Sequence, residues 1–167
     1  ARSRWRFSSD RTAILADDGF TPGRIYELVY VAHDPPLVGL GFAAFRDIIA
    51  YAQHEPGSPF PVSRGIAIGS PQSGRFLRDC LYEGFDGDGS GRQAYHGVII
   101  HIGGAGRGGF NHRFSHPGRV GNPFANFFYP GDDYPFASRA ASDLVGDGSR
   151  GIFDRPIATQ TLPKLFQ

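Results

Sequence analysis

Residues 64 to 80, RGIAIGSPQSGRFLRDC, have the pattern of a site that presents a nucleophile. A short apolar segment precedes a run of small residues, and apolar residues at helical spacing follow. This order predicts a strand, a tight turn and an amphipathic helix. It is the layout of a nucleophile elbow, in which a sharp turn exposes an attacking serine. The chemistry expected of such a turn is covalent acyl transfer.

The size of the flanking residues indicates which residue is at the vertex of the turn. An elbow needs small residues two before, two after and three after its vertex, because the backbones there approach closely. With residue 71 at the vertex, these positions hold Gly69, Ser73 and Gly74. With Ser70 or Ser73 at the vertex, bulky side chains fall on them. The predicted vertex is therefore Pro71.

Proline is unsuited to this role. Its ring holds φ near −65°, whereas an elbow vertex has a positive φ, and it has no hydroxyl. Three alternatives follow: the turn is rebuilt, the site is dead as a nucleophile, or this copy carries an error or a substitution. The amide of Gln72 remains as the expected oxyanion donor. Ser73 is the one alternative nucleophile proposed in the turn, although its role as the small residue that the elbow needs, with an N-cap function, is the favoured explanation.

The surrounding periodicity predicts an α/β fold. Strands are expected at 26–32, 65–69 and 97–102, with helices at 38–53 and from Ser73 onward, where Gly84 is placed to end the second helix. The face of the first helix is predicted to comprise Phe45, Ile48, Ile49 and Ala52. Alternating strands and helices are typical of a mostly parallel sheet flanked by helices. The turn at 69–74 would then lie at the carboxyl edge, where ligands bind in such folds.

Length and composition favour one domain. The 167 residues suffice for a substantial core, and the predicted β-α-β-α-β core spans 26–102. Residues 103–160 are rich in glycine and proline and show little periodicity, so a long irregular loop region is expected there. Residues 161–167 are expected to begin a further strand. With no methionine in the chain, we expect a fragment or a processed piece, and hence a single incomplete domain over 1–167.

Two longer segments resemble a known family. GSPQSGRFLRDCLYEGF and HGVIIHIGGAGRGGFNHRF are similar to the bacterial "alpha/beta hydrolase domain" family, whose members carry G-x-S-Q-S-G-R-F-L-R and H-x-x-G-A-G-R-G-x-F-N-H-R-F. DGFTPGRIYELVYVAHDPPLVGLGFAAFRD, NFFYP and LPKLF extend the resemblance over nearly the whole chain. The resemblance implies an α/β-hydrolase fold of which this chain holds the central part.

The same resemblance implies a reaction. It implies hydrolysis of ester or acyl bonds in a small-molecule substrate through an acyl-enzyme, with no cofactor. The family serine falls on Pro71, and the triad acid and histidine are expected beyond Gln167. This copy is therefore expected to be impaired and, on its own, inactive. The alternatives are a catalytically silent relative that acts as a binding or scaffold protein, and one chain of a larger assembly.

Polar residues around the glycine-rich segment 103–109 are candidates for lining a pocket: His101, Arg107, Asn111 and His112. The spacing of His112 and His116 also suits a metal site, but the segment is not helical in pattern and no Glu or Cys completes the set. The G-x-G-x-x-G pattern at 104–109 lacks the helix that a dinucleotide site requires. We therefore predict a shaped loop with neither metal nor nucleotide.

Two further polar patterns have structural explanations. Asp86, Asp88 and Ser90 imitate the start of a calcium-binding loop, but Gly97 stands where a bidentate glutamate is needed, so a solvated turn is expected. Arg75, Arg78 and Asp79 follow the elbow and are predicted to form ion pairs that fasten loops to the helix. The formal net charge of +1 and the absence of a long apolar run argue against nucleic-acid and membrane partners. A single cysteine, Cys80, leaves the compartment open.

Overall fold

The computed structural model describes residues 4–24, 26, 30–31, 33–35, 37, 39–108, 134–144, 146 and 148–167. The chain divides into two compact units, residues 1–32 and 33–167, whereas the sequence predicts one. The first unit contains an antiparallel hairpin of β1 (Trp5–Phe7) and β2 (Ile14–Ala16), in which Trp5 pairs with Ala16 and Phe7 with Ile14. The sequence analysis did not predict this hairpin.

The strand predicted at 26–32 is not observed in its described part. Tyr26, Tyr30 and Val31 lie outside any strand, and Val31 is 96% exposed. The remaining positions of that segment fall largely outside the described residues. A β-rich composition predicts a strand only where a neighbouring strand can pair with it, and these residues have no such partner among the described ones.

The second unit begins with α1 (Leu40–His54), close to the predicted helix. Phe42 and Ala52 are buried, and Phe45 and Ile49 pack against the core. The prediction that Ile48 belongs to this face is wrong, because Ile48 is 58% exposed. The buried stripe is displaced by a fraction of a turn toward Phe42, which contacts the rings of Phe76 and Phe85, residues distant in sequence.

The central elements are β3 (Ile66–Gly69), α2 (Gln72–Tyr82) and β4 (Gly97–Ile100). β3 and β4 are parallel, with Gly69 opposite Ile100. The predicted end of α2 is confirmed: Gly84 has φ +81°, its N–H bonds the Leu81 carbonyl, and the Phe85 N–H bonds the Cys80 carbonyl. These two bonds and the left-handed glycine form a Schellman motif.

The segment predicted as irregular contains short elements in its described part. β5 (Ala141–Ser142) and β6 (Ser149–Arg150) pair antiparallel, and α3 (Asp154–Ala158) follows them. The last strand, β7 (Lys164–Phe166), is parallel to β4, so the sheet order is β3-β4-β7. The described residues therefore form an α/β unit in which a three-stranded parallel sheet is flanked by helices.

The core lies on one face of this sheet, and its buried members are Ala67, Leu77, Leu81, Ala94, Tyr95, Val98, Ile100, Ile152 and Phe153. The opposite face is exposed: Ile66 and Ile68 are 66% and 70% accessible. A fully apolar strand such as β3 is typical of sheets covered on both faces, but the described residues cover only one face. Its uninterrupted apolar sequence does not reveal that only one of its two faces is covered. No helix among the described residues has the length and apolar character needed to cross a membrane.

Candidate functional site at the carboxyl edge of the sheet

The turn between β3 and α2 has the close backbone approach that the elbow pattern predicts. A Cβ atom on Gly69 would lie 2.5 Å from the carbonyl carbon of Ser73 and 2.7 Å from the nitrogen of Gly74. A Cβ atom on Gly74 would lie 3.0 Å from the Cα of Gly103. These separations leave no room for a side chain at residue 69, which confirms the steric part of the prediction.

The vertex of the turn differs from that of an elbow. Pro71 has φ −74° and ψ −38°, which is right-handed helical backbone, and none of residues 70 to 73 has a positive φ. Of the three alternatives, the rebuilt turn therefore describes the backbone. Pro71 precedes the first residue of α2, where its missing N–H breaks no helical hydrogen bond. With no hydroxyl, it cannot attack a substrate.

Ser73 closes the turn through its side chain. Its Oγ accepts the N–H of Ser70 at 2.7 Å and donates to the carbonyl oxygen of Ser70 at 3.0 Å. Both bonds depend on a small hydroxyl at this position. The geometry therefore favours the structural explanation of Ser73 over its role as an alternative nucleophile.

A serine–histidine pair lies beside this turn. The Oγ of Ser70 is 2.9 Å from Nδ1 of His101, and both side chains are exposed. Each residue directly follows a strand, β3 or β4, and the His101 N–H donates to the Gly69 carbonyl at 2.8 Å. The parallel register thus brings two distant residues side by side at the carboxyl edge of the sheet.

Sequence reasoning named His101 only as a pocket-lining residue and did not select Ser70. A usable signal was present, because both residues follow the last residue of predicted neighbouring strands. In a parallel sheet those strand ends meet at the same edge. Ser70 was considered only as the vertex of the turn, for which its flanking residues are too large.

The residue after His101 adopts an unusual conformation. Ile102 has φ +47° and is 69% exposed. Positive φ is a genuine outlier for a β-branched residue. Backbone strain of this kind clusters at functional sites, where the surrounding structure holds it in place. Here it ends β4 directly after the histidine of the pair.

Arg107, another predicted pocket residue, is placed in the interior. Its guanidinium lies 3.0 Å from the Asp79 carboxylate and 3.8 Å from the centre of the Tyr82 ring. Its Nε donates to the Tyr134 carbonyl at 3.2 Å. Arg107 therefore ties the glycine-rich loop to α2. Asn111 and His112, like His116, lie outside the described residues.

The other charged residues of α2 also have structural contacts. Arg78 is 5% exposed and donates to the carbonyl oxygens of Ala105 and Phe136. Arg75 reaches the Arg107 carbonyl at 3.5 Å. The predicted ion pair that fastens a loop to the helix is confirmed for Asp79, which pairs with Arg107. Arg78 also holds loops to the helix, but through carbonyl oxygens.

The acidic residues that imitate a calcium loop point to different partners. Asp88 accepts bonds from the N–H groups of Ser90 and Arg92, whereas Asp86 is fully buried and accepts the hydroxyl of Thr161 at 2.6 Å. Within the described part of the chain, no group of three or more His, Cys, Asp or Glu side chains is placed to hold a metal ion.

Burial controls the chemistry of the interior groups. It raises the pKa of the Cys80 thiol to about 12, so this cysteine stays protonated and inert at neutral pH. Burial also raises the pKa of Asp86, against the lowering effect of the Thr161 hydrogen bond. These groups lie in the core and not at the Ser70–His101 pair.

A groove of about 560 Å³ runs elsewhere, along the exposed face of the sheet. Its lining includes Ile66, Gly97, Ile99 and Phe166. Gly97 begins β4, so part of the groove lies at the amino end of the strand, away from the carboxyl edge. The groove and the serine–histidine pair are therefore separate features.

No protein-family model, curated protein or solved structure matches the chain significantly. The resemblance to the bacterial "alpha/beta hydrolase domain" family thus stays a prediction.

Proposed function

We propose that this chain is the central part of an α/β-hydrolase of the serine-hydrolase type, whose reaction is hydrolysis of small-molecule esters or related acyl bonds. The observation that supports the proposal most is the packing of the β3–α2 turn, where Gly69 contacts the backbone of Ser73 and Gly74. A turn this tight at the carboxyl edge of a parallel sheet is the setting in which such enzymes present their nucleophile.

The parts of this turn would have distinct roles in the reaction. The residue at 71 would attack the acyl carbon, and a histidine would take its proton. The amide of Gln72 lies in the first turn of α2, where backbone N–H groups have no partner within the helix. These groups and the helix dipole favour a developing oxyanion. Pro71 lacks the attacking hydroxyl at this position, whereas the Gln72 amide and the N-terminus of α2 are retained.

A second candidate function follows from Pro71 itself. Its helical φ and ψ and its lack of a hydroxyl are compatible with a catalytically silent relative that binds a ligand at the same edge. In that case the turn keeps its close backbone packing and loses acyl transfer at residue 71.

Substitution at residue 71 tests the proposal. The variants are Pro71→Ser and, as the matched control, Pro71→Ala, which relaxes the backbone equally without adding a hydroxyl. After reaction with a fluorophosphonate, we expect label on residue 71 in Pro71→Ser. Trypsin cleaves after Arg64 and Arg75, so the modified residue lies in peptide 65–75 and can be located by fragmentation. Absence of label on residue 71 in folded Pro71→Ser would contradict the proposed function.

A further inference from the structure

The Ser70 side chain is held differently from that of its neighbour Ser73. The Ser73 hydroxyl is engaged with the backbone of Ser70 through two bonds. The Ser70 hydroxyl bonds to His101 alone among the described residues. The two serines of this turn therefore differ in the role of their hydroxyl group. The Ser73 hydroxyl closes the turn, and the Ser70 hydroxyl lies beside the imidazole of His101 at the exposed edge.

Three hydrogen bonds fix the backbone on which the pair is mounted. Ser73 holds both the N–H and the carbonyl of Ser70, and the Gly69 carbonyl holds the N–H of His101. The strained φ of Ile102 follows immediately. Groups mounted on strand ends with fixed backbones keep their mutual geometry better than groups on free loops. The 2.9 Å contact is thus built into the fold.

We propose that Ser70 is a nucleophile in this chain and that His101 is its general base, one residue before the family position. This inference rests on the proposed function, because it places acyl transfer at the same turn. The reaction requires the His101 tautomer that carries its proton on Nε2, so that Nδ1 accepts. A serine hydroxyl within hydrogen-bond reach of a base is the recognisable form of an activated nucleophile.

The steps balance with water as the only other reactant. Ser70 Oγ forms a bond to the acyl carbon while its proton passes to Nδ1 of His101. The tetrahedral intermediate collapses, the bond to the leaving oxygen breaks, and His101 returns the proton to that oxygen. Water then attacks the acyl-Ser70 ester, His101 takes a proton from the water, and Ser70 leaves as the hydroxyl with that proton.

The same geometry indicates a substrate class. Among the described residues His101 has no carboxylate partner, and a dyad without an orienting acid is a weak catalyst. Both side chains are exposed, so the described residues around them offer little burial for a large acyl group. Small esters with good leaving groups, such as aryl acetates, therefore fit this pair, whereas amides do not.

The test is acylation of the protein by p-nitrophenyl acetate, followed by mapping. Peptide 65–75 contains only two hydroxyl residues, Ser70 and Ser73, so fragmentation across Pro71 distinguishes them. We expect the acetyl group on Ser70 and its loss in Ser70→Ala, which leaves Ser73 in place. His101→Gln keeps a polar group and removes the base, so acylation should slow about 100-fold. Thermal unfolding of each variant confirms that it is folded.

The outcomes separate this inference from the proposed function. The dyad is overturned if the acetyl group is found only on Ser73 or elsewhere. It is also overturned if Ser70 is acetylated at a rate that His101→Gln does not change. If wild type is not acylated while Pro71→Ser is labelled on residue 71, the dyad is overturned and the proposed function stands. If neither protein is modified in this peptide, both are overturned.

Discussion

The interior between α2 and the sheet contrasts with the carboxyl edge a few residues away. In the interior, Leu77 and Leu81 pack on Val98 and Ile100, and the Asp79–Arg107 ion pair is nearly inaccessible to solvent. At the edge, Ser70 and His101 are exposed and bond to each other. The same elements, β3, α2 and β4, therefore contribute to both regions. Groups that stabilise the fold are buried between α2 and the sheet, whereas Ser70 and His101 follow the ends of β3 and β4.

This separation means that a substitution should affect stability or chemistry, but not both. Burial decides which, since buried side chains contribute transfer and packing free energy and exposed ones do not. The following predictions test the contrast, in order of decreasing effect.

The largest effect is expected at the buried ion pair. Arg107→Leu removes the guanidinium that lies 3.0 Å from the buried Asp79 carboxylate, so the free energy of unfolding should fall by about 3–5 kcal/mol. Urea denaturation measures this change. The control is the double variant Asp79→Leu/Arg107→Leu, which should recover part of the loss because no charge stays buried. A loss below about 1 kcal/mol in Arg107→Leu would contradict a structural role for the pair.

Two isoleucines on opposite faces of the sheet provide a matched comparison. Ile100 is 5% exposed and Ile68 is 70% exposed. Ile100→Ala should lower the free energy of unfolding by about 2–5 kcal/mol, whereas Ile68→Ala should change it by less than about 1 kcal/mol. Chemical denaturation of both variants gives the comparison. Equal losses would show that the face containing Ile68 is covered in the folded protein.

A smaller, pH-dependent effect is expected at Asp86. Burial raises its pKa in the folded protein, so the folded state binds more protons than the unfolded state above the ordinary carboxyl pKa. Stability from this group is present at low pH and is lost as pH rises toward the folded pKa. Asparagine at this position does not ionise, so Asp86→Asn does not lose this stability as pH rises. Relative to wild type, the variant should therefore gain stability as pH rises above the ordinary carboxyl pKa.

Asp88 is the control for this titration. Burial raises its pKa, but hydrogen bonds from Arg92 and Ser90 outweigh that effect and lower it overall. Its contribution is therefore present above the unfolded pKa and lost as pH falls. Asp88→Asn should lose stability relative to wild type as pH rises, and urea denaturation across the range measures both variants. If the stabilities of the two variants relative to wild type changed with pH in the same direction, the opposite pKa shifts assigned to Asp86 and Asp88 would be refuted.

Periodicity predicted the elements that are determined by local sequence. α1, β3, α2 and β4 lie close to their expected positions, because apolar spacing and caps such as Gly84 act within a few residues. The small residues at the turn were predictable for the same reason. The exposure of Ile66 and Ile68 was not predictable, because an apolar strand can have the same sequence whether one face or both faces of its sheet are covered.

The candidate site shows where local reasoning ends. Pro71 was identified from its neighbours alone, but the partner of Arg107 lies 28 residues away and appears only once the loop is folded onto α2. The Ser70–His101 contact depends on the register of two strands 31 residues apart. Topology predicted that their ends meet. It did not predict which serine of the turn would face the histidine.

The central claim is that chemistry at the edge is separable from stability in the interior, and Ser70→Ala tests it most directly with two readouts. We predict that its free energy of unfolding stays within about 0.5 kcal/mol of wild type, because the side chain is exposed. In the same sample, acylation of peptide 65–75 by p-nitrophenyl acetate should be lost. Acylation retained at the wild-type rate, or lost together with a large fraction of the stability, would contradict the claim.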